Sequence, residues 1–256
     1  MTTSNDAATL RALHVPGKPL VLPNVWDAAS ARLVERAGFP AVATASAAIA
    51  PTLGYEDHEQ TPPEEMFAAV ARIRRAVAVP VTADLEGGFG LEPEEFVARL
   101  AATGAVGANI EDTDARSGEL RSAERQAEYL AGIRAAADAA GYDLVLNARV
   151  DVYLHGAGSE AERLAEALRR GRLYRDAGAD SLYPILVADA PTIEALVTGL
   201  DAPVNILARP GAPTVEALAA LGVARISFGP GMFRIAQAAT EAALRAVADG
   251  RSPFGP

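Results

Sequence analysis

Along the chain one alternation of apolar and polar positions returns eight times. A short apolar run leads into a polar turn, then into an alanine-rich stretch with apolar residues at helical spacing, then to a glycine and the next apolar run. The apolar runs predict strands at 20–24, 41–46, 81–86, 107–112, 144–151, 181–186, 204–207 and 225–229. The stretches between them predict helices at 28–37, 63–77, 93–103, 123–140, 160–177, 192–198, 215–221 and 232–249, with a short helix at 6–13 ahead of the first strand. Gly38, Gly104, Gly178 and Gly222 stand where helix C-termini favour a left-handed residue. Thr61 with Glu64, and Ser159 with Glu162, have the spacing of capping boxes. The strands are apolar throughout rather than alternating, as in a parallel sheet covered on both faces. Eight such units predict an α/β protein, a single-domain (β/α)8 TIM barrel over residues 1–256, with an open doubly wound sheet as the alternative.

Composition then narrows the chemistry. Half of the 256 residues are hydrophobic, which supports a sizeable core. The net charge of −10 argues against nucleic acid or an anionic membrane as partner. No secretory leader pattern and no bilayer-length apolar run is present, so the expected compartment is the cytoplasm. With no cysteine there is no disulfide, thiolate nucleophile or cysteine-ligated metal. Lys18, the one lysine, lies in a Pro-Gly-Lys-Pro turn, a poor place for a Schiff base.

The densest chemistry is the run Val81-Thr82-Ala83-Asp84-Leu85-Glu86-Gly87-Gly88-Phe89-Gly90. Two apart on a strand, Asp84 and Glu86 point to the same side. At about 4 Å their charges repel by roughly 4 kcal/mol at an effective dielectric near 20. Protonation, open water or a cation relieves this, and the expectation is a cation. Other strand ends add Asn24, Trp26, Asp57, Asn109, Glu111, Asn147, Arg149, Asp151, Asn205 and Ser227. Four acids at one barrel mouth suit Mg²⁺, with Mn²⁺ as the alternative. Arg149 is a fork for a carboxylate or phosphate, or else a tie to Asp151. Of the adjacent pair, Glu111 is assigned to the mouth and Asp112 to an ion pair or loop cap. Trp26 is read as pocket wall and His14 as a surface residue. His58 and His155, past strand ends, are either proton-transfer groups or solvated loop residues.

The combination Asn24-Val25-Trp26-Asp27, Leu53-Gly54-Tyr55-Glu56-Asp57, the run from Ala83 to Gly90, Asn109-Ile110-Glu111-Asp112 and Asn147-Ala148-Arg149-Val150-Asp151 resembles the isocitrate lyase/phosphoenolpyruvate mutase superfamily, in order, over residues 20–235. The resemblance implies a barrel that binds Mg²⁺ and a small 2-oxo acid. It makes Asp84 the metal-contacting acid and Asp57, Glu86 and Glu111 the acids holding the metal's waters. It makes Arg149 the substrate-binding arginine and the backbone amides of Ala45, Ser46 and Ala47 the carboxylate cradle. Trp26, Asn147 and Asn205 complete the expected substrate contacts, with Arg149, Glu111 and Asp57 as the catalytic set. It further implies a homo-oligomer, a tetramer or dimer, with the last helix exchanged between neighbours.

The sequence also departs from that pattern. Residues 112–120 replace the lyases' Lys-Lys-Cys-Gly-His segment and carry no Cys, Lys or His, and the mutase's lysine and asparagine are missing there too. Ala208 stands where the lyases have a glutamate. The expectation is therefore a Mg²⁺-dependent lyase cleaving a C–C bond in a small, oxaloacetate-like 2-oxo or 2-hydroxy carboxylate through an enolate. Phosphonopyruvate hydrolase or mutase-like C–P chemistry and a non-catalytic keto-acid-binding barrel are the alternatives.

Overall fold

The computed structural model describes residues 3–254. Its strands are β1 (Leu20–Leu22), β2 (Asn24–Val25), β3 (Val42–Thr44), β4 (Val81–Asp84), β5 (Gly107–Ile110), β6 (Val145–Val150), β7 (Ser181–Pro184), β8 (Asn205–Leu207) and β9 (Arg225–Ser227). All pair in parallel, β2 through β7 in sequence order and β1 through β9 to β8. β1 and β2 are halves of one stave, interrupted at Pro23, which has no N–H for the ladder. A bridge between Leu182 and Val204 joins β7 to β8. The circuit closes, so nine short strands make the eight staves of a (β/α)8 barrel.

The helices are α1 (Thr3–Ala12), α2 (Ala28–Arg36), α3 (Ser46–Leu53), α4 (Pro63–Ala76), α5 (Pro93–Thr103), α6 (Ala123–Ala139), α7 (Val152–His155), α8 (Glu160–Asp176), α9 (Ala190–Leu200), α10 (Val215–Ala220) and α11 (Gly231–Ala248). Ser159 and Glu162 form the expected capping box on α8. Thr61 does not cap α4: Pro62 and Pro63 move the helix start one residue on, so Pro62 takes the N-cap position and Glu64 falls one short of N3. The main core fills the annulus between strands and helices, with Met66, Phe96, Leu130 and Ile133 among its wholly buried side chains.

A second, smaller cluster joins α1 to the staves, with Leu10 packed among Leu20, Leu22 and Val145. A Cβ at Gly107 would come 2.7 Å from Thr82 Oγ1 and 2.9 Å from Leu10 Cδ2, so only glycine fits where β5 begins. Arg74 holds Asp6 at 2.8 Å, and Arg11 reaches Asp143 and Asp180. His14 is not at the surface. It is buried just after α1, its Nδ1 lies 2.8 Å from the Leu10 carbonyl, and burial and nearby Arg225 hold its pKa at about 4. Among the described residues no helix is long and apolar enough to cross a membrane.

Candidate active site

Four polar residues stand in register across neighbouring staves: Asp84 on β4, Asn109 on β5, Asn147 on β6 and Ser181 on β7. Each is hydrogen-bonded to the next. Asn109 Nδ2 donates to Asp84 Oδ1 at 2.8 Å, Asn147 Nδ2 donates to Asn109 Oδ1 at 2.8 Å, and Ser181 Oγ donates to Asn147 Oδ1 at 2.6 Å. The other Asp84 oxygen accepts from both the backbone N–H and the hydroxyl of Ser46 at 2.9 Å. Strand register thus aims the Asp84 carboxylate without using any cationic side chain. On β2, Asn24 stands apart from this row, donating to the Thr44 carbonyl and accepting from the N–H groups of Phe228 and Gly229.

Glu86 departs from its expected strand geometry. β4 ends at Asp84, and Glu86 has φ +51°, inside the left-handed region that ordinary side chains rarely adopt. It reaches the site from a tight turn, where its Oε2 accepts from the Glu59 N–H and its Oε1 is buried without a partner. Burial and Asp57 raise its pKa to about 8. Asp57 is pushed up as well, by burial and then by Asp84, and its Oδ1 is likewise buried and unpartnered. Glu111 is driven well above the usual carboxylate range by burial, against the pull of Arg149. Glu111 has Arg149 as its counter-ion, whereas Asp57 and Glu86 each keep an oxygen that no side chain among the described residues satisfies. Among the described residues, no three carboxylates or imidazoles are grouped as direct ligands of one ion.

Arg149 is almost wholly buried and divides its fork between two acids. Nε and Nη2 hold Asp151 at 2.6 and 2.8 Å, and Nη2 also reaches Glu111 at 2.6 Å. Nη1 takes no part in these bonds, and the residue lines a cavity of about 270 Å³. Asp112 points away from Glu111 into a buried network, 2.9 Å from Arg170 Nη1 and accepting from the Tyr174 hydroxyl at 2.6 Å. The loop after β5 is a tight hairpin bridged between Thr113 and Leu120, and Thr113 Oγ1 donates to Asp151.

The cavity brings together Ala45, Ser46, Ala47, Asp57, Asp84, Arg149 and Asn205 from the sequence-predicted set. Of the three amides expected to cradle a carboxylate, two are engaged: Ala45 N donates to Val25 O and Ser46 N to Asp84. At the start of α3 only the Ala47 N–H is left for a ligand. Expectations for four further residues change. Asn147 is wholly buried and engaged by Asn109 and Ser181, so it orients Asn109 rather than touching a ligand. Trp26 packs edge-on against Phe233, ring centroids 5.3 Å apart, and does not line the cavity. Glu86 and Glu111 also stand outside its lining. Sequence reasoning missed Arg225 on β9, a cavity-lining arginine that is 3% exposed. The available signal was strand period, since Arg225 shares a face with Ser227, already read as a site-side residue.

A sequence model of the family described as phosphoenolpyruvate phosphomutase matches residues 10–248. An oxaloacetate decarboxylase of Rhodopseudomonas palustris (strain BisB5) is 31% identical over 272 residues, covering 99% of this chain and 88% of that protein. A crystal structure of a Burkholderia cenocepacia J2315 protein superposes with a TM-score of 0.91 at 41% identity, over 94% of this chain and 99% of that one. A phosphonopyruvate hydrolase solved with oxalate and Mg²⁺ gives a TM-score of 0.83 at 26% identity, over 98% of this chain and 89% of that one.

Proposed function

The chain belongs to the phosphoenolpyruvate phosphomutase family, within the isocitrate lyase/phosphoenolpyruvate mutase superfamily, and on that premise we propose that it is a Mg²⁺-dependent lyase cleaving a C–C bond in a small, oxaloacetate-like 2-oxo or 2-hydroxy carboxylate. One observation carries the reading: Asp84, Arg149 and the free Ala47 N–H line a single cavity at the C-terminal ends of the staves, where barrels of this class place their chemistry.

The donor set fits Mg²⁺. Orphaned oxygens on Asp57 and Glu86, two acids whose pKa values burial and neighbouring carboxylates push upward, are what a cation with several retained waters would satisfy. Asp84 would touch the ion and Asp57 would hold its waters from the cavity wall, with Glu86 and Glu111, outside that lining but within coulombic reach of Asp84, adding negative charge behind them. Bound Mg²⁺ supplies Lewis-acid stabilisation of a developing enolate. Arg149 and the Ala47 N–H bind the substrate's anionic end, Arg149 through the Nη1 donor that its acids leave unused. Ser46 and Asn109 fix the Asp84 carboxylate, and Asn147 fixes Asn109 in turn. Asp57, on the cavity wall with its carboxyl shifted upward, is the group we assign to returning a proton.

Purified protein with Mg²⁺ and oxaloacetate is expected to release pyruvate and CO₂, and EDTA is expected to stop it. Phosphate released from phosphonopyruvate instead would move the assignment to C–P chemistry. Tight binding of either acid without product would make the barrel a keto-acid binder.

We also propose a homo-oligomer in which α11 packs on a neighbouring subunit. None of its eighteen residues is buried, and Ile235, Leu244 and Val247 are each more than half exposed. Light scattering is expected to give a dimer or tetramer; a monomer at micromolar concentration would remove the proposal.

A further inference from the structure

The arc of the barrel formed by β8 and β9 carries a second group of polar side chains facing the same cavity. Asn205 and Arg225 are register partners on adjacent staves, and both line it. Neither amide atom of Asn205 has a hydrogen-bond partner, and both are buried. Arg225 Nε and Nη1 are likewise buried and unpartnered. A buried guanidinium without a carboxylate is expensive to hold in a fold. Nothing on this arc supplies the missing negative charge. Asp84 acts on Arg225 through space, but its oxygens are engaged by Ser46 and Asn109. Tyr183, also on the cavity wall, keeps a neutral hydroxyl because burial pushes its phenol up to about 12. Burial lowers the Arg225 guanidinium to about 10, which leaves it charged at neutral pH.

We propose that Arg225 and Asn205 form an anion subsite for a second carboxylate of the substrate, so that the protein selects dianionic 2-oxo or 2-hydroxy acids over monoanionic ones. The proposal rests on the reading that the cavity takes a small carboxylate, whose first anionic end meets Arg149 and Ala47. The second carboxylate then accepts from the Arg225 fork and from Asn205 Nδ2, filling donors that no protein group fills. Asn205 Oδ1 is left to a hydroxyl or a water.

The test uses the protein in Mg²⁺ buffer with two probes that lack a carboxyl β to the keto group and so cannot undergo the cleavage, 2-oxoglutarate as the diacid and its C5 methyl ester, which differ chiefly in the second charge. Calorimetry is expected to show the wild type binding the diacid about 10-fold or more tighter than the ester. Arg225→Met is expected to lose that preference while holding the ester within about threefold of wild type. Its melting temperature is expected to rise, because the substitution removes an unpaired buried charge. Arg225→Gln is read in the same way if the methionine variant does not fold. An unchanged diacid preference in the variant would overturn the subsite and leave the small-carboxylate reading intact. A fall in melting temperature with that preference unchanged would make Arg225 purely structural. Failure of the wild type to bind either probe would overturn both readings.

Discussion

Arg149→Met is expected to lower kcat on the accepted substrate by roughly 10²–10³-fold, the usual cost of removing one preorganised donor from a site where charge develops. The arginine is nearly buried, it lines the cavity, and its Nη1 is outside the bonds to Asp151 and Glu111. The same change strands two buried acids, and breaking such a pair typically costs about 3–5 kcal/mol of stability. Lost activity in the methionine variant is therefore ambiguous on its own. Arg149→Lys separates the two effects, because it keeps the positive charge near Asp151 and Glu111 but not the planar fork. We expect the lysine variant to melt near the wild type and still fall at least about 10-fold in kcat/KM, the cost of a clamp that is no longer bidentate. Steady-state rates beside thermal melts decide it. A lysine variant with wild-type kcat/KM would reduce Arg149 to a counter-ion for its two acids.

What the sequence reveals follows from which physical signals are local. Strand and helix positions are legible because parallel staves are uniformly apolar and their helices end on glycines at 104, 178 and 222. α3 is not legible: Ser46–Leu53 is apolar on all sides and contains Pro51, so it shows neither helical period nor a polar face. Its start nevertheless supplies the Ala47 N–H and the two Ser46 donors to Asp84. The polar row is half legible. Asp84, Asn109 and Asn147 stand out as polar residues in apolar strands, but only register shows that Asn147 reaches its neighbours rather than a ligand. Glu86 shows the opposite failure, because the two-residue spacing assumes a strand that stops at Asp84. His14 and Arg225 fail for one reason. His14 is assigned to solvent as a titratable residue and Arg225 is given no role at all, and in each case only tertiary structure shows that the side chain is buried.

Stripping divalent ions is expected to abolish turnover and to leave a fold that weakens as pH rises from about 6.5 to 8. Glu86 ordinarily titrates near 4.5 and in the folded chain near 8, so the native state keeps a proton that the unfolded chain has released. The folded protein therefore binds more protons than the unfolded one across that interval, and the stability of the native state falls with increasing pH. This contribution is fully present below the ordinary carboxylate value and is lost above about 8. Asp57 and Glu111 are displaced in the same direction, by burial first, so neither opposes the Glu86 trend. His14 works the other way, since its folded value near 4 lies below its ordinary 6.5, and it destabilises the native state only as pH falls below 6.5. Readings between 6.5 and 8 thus isolate the acids from the histidine. Saturating Mg²⁺ reverses the argument, because an ion among these carboxylates favours their charged forms. At 100 times its dissociation constant the ion adds about 2.7 kcal/mol to native stability by mass action. Urea unfolding at several pH values in this range, in EDTA and in Mg²⁺, is expected to give a falling series and a flat or rising one. A chelated protein whose stability holds level or climbs from 6.5 to 8 would mean that these acids are settled without a cation, and the metal would lose its place in the mechanism.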